Sequence, residues 1–145
     1  MSTLSRREAR EAVLGLLFES EFRADESSTE IFAISVEDRE IPADSYIEKA
    51  YFAICEKREE IDTLIGNHAK GWKTSRLSKL SRSILRLAAY EMMYETEIPY
   101  SVSINEAVEL AKKYDEDKAR PFINGVLNSI KNELESEGSP SEETK

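Results

Sequence analysis

The stretch Ser81-Arg-Ser-Ile-Leu-Arg-Leu-Ala-Ala-Tyr-Glu-Met-Met-Tyr94 decides the fold. Ile84, Leu85, Leu87, Ala88, Ala89, Met92 and Met93 point around nearly the whole circumference of a helix, and only Arg86 and Glu91 carry charge inside the run. A helix apolar on most sides has to be enclosed on most sides. The run is also too short for a bilayer, which needs about 20 apolar residues. The remaining segments are therefore cover for a central helix, plus whatever surface that cover presents.

The cover is helical. Ser5-Arg-Arg-Glu8 has the form of a capping box, and Ala9, Ala12, Val13, Leu16 and Leu17 follow at helical spacing. Arg6 and Arg10 then share a polar face one turn apart, with Arg7 beside them and Glu11 in reach of Arg7. A solvated face and a binding face both fit this pattern. Residues 25–44 read as a short helix or a surface loop. From Ser45 the positions Ile47, Ala50, Tyr51, Ile54, Ile61 and Ile65 give one helical stripe, broken only by Arg58, with Gly66 placed to end it. Past Trp72, a short helix and turn, with Ser78 and Ser81 available as caps, lead into the central helix. Pro99 marks a break, and Ser103-Ile-Asn-Glu106 is a second capping-box pattern ahead of the stripe Ile104, Ala107, Val108 and Ala111. Pro121 suits the first turn of a last helix with Ile123, Val126, Leu127, Ile130 and Leu134 inside. Gly125 in that helix costs about 1 kcal/mol relative to alanine, which anticipates close approach of a backbone or a ligand. Residues 1–134 thus form a single helical domain, and 135–145 a disordered acidic tail.

The 145 residues suffice for a normal core, and the single cysteine, Cys55, permits no internal disulfide and reads as a small buried hydrophobe. His68, the only histidine, reads as a helix-end surface residue. No Gly-rich phosphate loop, Ser-His-Asp set or metal constellation appears, so neither an enzyme nor a cofactor is expected. No signal peptide or long apolar span is present, which makes a cytoplasmic protein without membrane attachment the expectation.

The net charge of −9 hides a division. Between Glu19 and Glu48 ten acidic residues face only Arg23 and Arg39, whereas Lys70 to Arg86 holds six cations and no acid. Charges act over about a Debye length, ~8 Å at physiological salt, so one face can bind polyanion while another repels it. Lys79, Arg82 and Arg86 supply a cationic edge for a partner or for RNA. Arg82, Arg86 and Tyr90 fall on one helix face, either as a phosphate-and-stacking surface or as arginine stems packed along a seam with their heads in water.

The wording of three segments goes further. Arg6-Arg7-Glu-Ala9-Arg10-Glu-Ala12 resembles the R-R-x-A-R-x-x-A opening of the NusB family of transcription antitermination factors. Ile84-Leu-Arg-Leu-Ala-Ala-Tyr-Glu91 is similar to that family's central L-R-x-A-x-Y-E helix. Ile104-Asn-Glu-Ala-Val-Glu-Leu-Ala-Lys112, then Phe122-Ile-Asn-Gly-Val-Leu127, is similar to its I-N-E-A-(V/I)-E-L-A-K and F-(V/I)-N-G-V-L signatures. The resemblance runs from about Ser5 to Ile130 and implies an all-α bundle of about seven helices in two packed sub-bundles. It implies a non-enzymatic factor that binds boxA RNA of ribosomal RNA operons together with NusE, a small-subunit ribosomal protein, within the RNA polymerase antitermination complex. Family members occur as monomers and as homodimers, so both states stand. Carried over by position, Arg6, Arg7 and Arg10 become the principal RNA surface, with Tyr100, Phe122 and Asn124 as further contacts. Single-stranded RNA is held by such arginine–phosphate contacts, aromatic stacking and amide groups at base edges. A protein-interaction module that binds a basic partner through the acidic face, without RNA, is the alternative.

Overall fold

A computed structural model describes residues 4–70 and 77–138. Seven helices lie among them, and no strand: α1 (Arg6–Glu21), α2 (Ser28–Arg39), α3 (Ser45–Glu56), α4 (Arg58–His68), α5 (Lys79–Tyr94), α6 (Tyr100–Tyr114) and α7 (Ala119–Gly138). None is long and apolar enough to cross a membrane.

The central helix is α5. It packs against α1, α3, α4, α6 and α7, and an unbroken run from Ser83 to Met92 is buried. With α5 as the shared wall, α1, α2 and α3 gather on one side and α4, α6 and α7 on the other, the two sub-bundles anticipated. Val13, Leu16, Ile47, Ile54, Ile65, Leu85, Ile123, Leu127 and Ile130 reach zero or near-zero exposure in one continuous core. Each such side chain contributes roughly 1.5–3 kcal/mol by leaving water.

The helix starts follow local chemistry. Ser5 and Glu8 form the expected reciprocal box on α1, and Ser78 caps α5 by accepting from the Ser81 N–H. Residues 25–44 resolve in favour of a helix. Ser27 and Glu30 make a second box, and Glu40 ends α2 in the left-handed region at φ 53°. Arg39 binds Glu19 at 2.8 Å, tying α2 to α1, and the absence of a side chain at Gly15 leaves room for its guanidinium.

Several local expectations change. The stripe read as one helix from Ser45 is two, because the chain turns at Lys57 and α4 then runs past Gly66 to His68. The box pattern at Ser103 is not a cap. Pro99 starts α6 one turn earlier, and Ser103 turns its hydroxyl inward to Glu91 at 2.7 Å. Gly125 meets nothing: a Cβ there would point into open space, so no backbone approaches it. The last helix continues past Leu134 to Gly138, into the stretch read as a tail, while the rest of that tail lies outside the described residues, as do Trp72 and the turn before Leu77. His68 is half-buried rather than free at the surface, tied to Ser129 at 2.6 Å and Glu133 at 2.5 Å on α7. Cys55 is half-buried against the core, and burial pushes its thiol pKa up, away from reactivity.

Candidate nucleic-acid interface

The first turns of α1 carry Arg6, Arg7 and Arg10, and the structure gives each a different task. Arg6 is exposed and lies over the Tyr46 ring of α3, 4.3 Å from its centroid. A guanidinium stacked on a ring keeps its N–H edge open to an anion. Arg7 is also exposed, and it forks onto Glu106 of α6, Nε donating to Oε1 at 3.0 Å and Nη2 to Oε2 at 2.7 Å. Those bonds hold the Glu106 carboxyl below the usual carboxylate range.

The expectation that Arg10 shares an exposed face with Arg6 is corrected. Arg10 is buried, with Nε donating to Glu91 Oε2 at 2.7 Å and Nη2 to Oε1 at 3.2 Å. Burial opposes its charge, but the bonds to Glu91 outweigh that and hold it protonated more firmly than usual. Glu91 is itself only 1% exposed and accepts from the Tyr46 and Ser103 hydroxyls as well. Burial, and then the Glu91 charge, push the Tyr46 hydroxyl pKa far upward, so it stays a donor. One carboxylate on α5 therefore fastens α1, α3 and α6 together. A phosphate cannot reach Arg10 without dismantling this junction, because one turn along α1 takes the side chain from solvent to the interior.

Arg86 undergoes the same correction. It is buried on α5 and forks onto Asp62 of α4 at 2.9 and 3.1 Å, with Glu21 of α1 as a further acceptor. Neither reading of the Arg82–Arg86–Tyr90 face survives for Arg86 and Tyr90. The arginine head is in the interior rather than in water, and Tyr90 is buried with its hydroxyl on Glu95 at 2.5 Å. Lys79 remains exposed, its Nζ 5.7 Å from the ring centroid of Phe22, while Arg82 is half-buried.

Tyr100 opens α6 and Phe122 lies in the first turn of α7. Both are half-buried and packed against the core, whereas Asn124 is exposed and its side-chain oxygen accepts from Asn128 at 3.2 Å. α6 and α7 pack together through the turn at residues 115–118. Tyr100 and Phe122 therefore sit toward opposite ends of α6, whose 15 residues span about 20 Å at 1.5 Å per residue. The Arg7–Glu106 fork lies between them, and Lys113 near the end of α6 binds Glu11 at 2.6 Å. Glu106 and Tyr46, which set the posture of Arg7 and Arg6, carry no local sequence signal for that role, because their partners lie on other helices.

The NusB family model matches residues 7–132. The transcription antitermination protein NusB of Bacillus pumilus is 40% identical over 131 residues, covering 90% of this chain and 98% of that protein. The NusB of Agathobacter rectalis is 42% identical over 127 residues, covering 86% and 97%. Among solved structures, T. maritima NusB superposes with a TM-score of 0.78 at 36% identity, covering 89% of this chain and 92% of that one. A chain in the crystal structure of antitermination factors NusB and NusE in complex with double-stranded RNA gives 0.76 at 30% identity, covering 86% and 94%.

Proposed function

The chain belongs to the NusB family, and from that premise we propose that it is a non-enzymatic, cytoplasmic RNA-binding antitermination factor that engages boxA RNA of ribosomal RNA operons together with NusE. Its place is the antitermination complex of RNA polymerase. The observation that carries this reading is the family match across nearly the whole chain, together with two exposed arginines at the matching motif.

The RNA surface has a direction in this reading. An extended strand laid along α6 meets Tyr100 at one end, Arg6 and Arg7 along its course, and Phe122 and Asn124 at the other. Arg6 and Arg7 take phosphates, the half-exposed rings receive bases, and the Asn124 amide meets a base edge. Gly125, exposed beside Asn124 and without a side chain, leaves the α7 backbone open to close approach. Arg10 supports this surface from beneath by fixing α1. With an overall charge of −9 and Glu11, Glu106 and Glu109 beside the arginines, the protein alone binds RNA weakly and with strong salt dependence, and NusE adds affinity.

A titration of labelled boxA RNA with the chain, alone and with NusE, tests this. Saturable binding tightened by NusE and weakened by salt is expected. No binding in either arm, while NusE is still captured, would favour the protein-interaction alternative.

A further inference from the structure

Arg7 is occupied in the free protein although its side chain is 60% exposed. The Nε–Nη2 edge of its guanidinium is held by Glu106, whose two oxygens present it with the bidentate geometry a phosphate offers. The Glu106 side chain is only 16% exposed, so the carboxylate is a fixed part of the α6 surface rather than a loose surface acid. A second cation stands behind it, for Arg10 Nη1 is 3.7 Å from Glu106 Oε1. Arg10 in turn is anchored independently by Glu91.

Resting on the reading that RNA is the ligand, we propose that Glu106 limits RNA affinity through Arg7, acting as an internal stand-in for phosphate. Glu106 occupies the Arg7 fork in the groove between α1 and α6 until a phosphate oxygen pair takes its place. The displaced carboxylate keeps Arg10 as a partner, so the exchange strands no buried charge and leaves the Glu91 junction intact. Binding thus trades one bidentate pair for another, and the net gain from Arg7 is smaller than a free arginine would give. Glu11 and Glu109 line the same groove, but Glu11 is held by Lys113 and neither is bonded to Arg7. They contribute field without occupying the fork.

The test is a double-mutant cycle read by boxA RNA affinity at fixed salt with the full chain and NusE, comparing Glu106→Gln, Arg7→Ala and the two combined, with Glu109→Gln as a charge control. An exposed pair of this kind is worth enough to tighten binding by about two- to fivefold when its acid is neutralised. That gain is expected for Glu106→Gln, is expected to vanish in the Arg7→Ala background, and is expected to exceed the effect of Glu109→Gln. Glu106→Asp, too short to make the fork while keeping its charge, tightens binding as well and guards against a folding defect peculiar to the amide. Unchanged or weaker binding by folded Glu106→Gln and Glu106→Asp overturns the proposal. So does a gain that persists without Arg7, or one that Glu109→Gln reproduces. Absence of RNA binding by every variant, the unaltered chain included, overturns the RNA reading itself and this exchange with it.

Discussion

Replacing Glu91 with alanine removes a carboxylate that accepts the Arg10 fork and the hydroxyls of Tyr46 and Ser103 in a site 1% exposed. The cost can be worked from those partners. Breaking a buried ion pair by deleting one member costs about 3–5 kcal/mol, because the other charge is left behind. Each orphaned hydroxyl adds about 1–3 kcal/mol, less where water enters the vacated space. Arg10 keeps only Glu106, 3.7 Å away, which recovers a small part. A net loss of roughly 5 kcal/mol or more follows, a large share of the ~5–15 kcal/mol available to a domain. Urea unfolding followed by far-UV circular dichroism reads this directly, as a midpoint lowered by about 2.5 M for a slope near 2 kcal/mol/M. Arg10→Ala belongs to the same class, and its RNA defect should track lost folded protein rather than a changed salt slope. Removing the whole polar cluster with Arg10→Met, Glu91→Leu, Tyr46→Phe and Ser103→Ala should recover much of the loss, since a buried pair is often replaceable by apolar side chains. A Glu91→Ala midpoint within about 0.3 M of the unaltered chain would refute the reasoning, because the junction would then hold nothing together.

Arg86→Ala should destabilise by about 1–3 kcal/mol, since Asp62 and Glu21 lose the fork but keep Arg58 at 3.7 and 3.6 Å, with boxA affinity per folded molecule unchanged; the same urea titration checks the first part and anisotropy the second. Gly125→Ala should raise stability by about 0.5–1 kcal/mol, since the added methyl meets open space in a helix, yet weaken RNA binding if the α7 backbone is approached there. Alkaline unfolding should begin near pH 10. Burial pushes the Tyr51 hydroxyl up to about 12, so its contribution is complete below the unfolded value of about 10 and is lost as pH rises through the folded one. Tyr51→Phe should blunt that loss in thermal melts taken across this window.

The central helix was legible because apolar residues on most sides of one helix leave no other arrangement, and α5 does touch five neighbours. The fate of its two internal charges was not. Arg86 and Glu91 are buried by partners drawn from α1, α3, α4 and α6, and no periodicity within residues 81–94 names them. The helix at Ser28–Arg39 was announced by Ser27 and Glu30, the same box that marked α1, but its uneven apolar pattern masked the signal. Conversely, the box-like Ser103 and Glu106 serve a tertiary network, Ser103 donating to Glu91 and Glu106 accepting from Arg7, because a serine hydroxyl and a glutamate suit such a network as well as a cap. On α1, spacing grouped Arg6 with Arg10. Only the packing of α5 and α6 separates the arginine that faces solvent from the one that fastens the helix.

The division of labour within that arginine motif is tested most directly by boxA RNA affinity as a function of salt, with NusE present, for the unaltered chain and for Arg6→Ala/Arg7→Ala. Two lost phosphate contacts to a single strand predict weaker binding, a log–log salt slope shallower by about 1.4, and an unchanged urea midpoint. An unchanged slope and affinity in the folded double variant would remove the exposed arginines of α1 from RNA recognition.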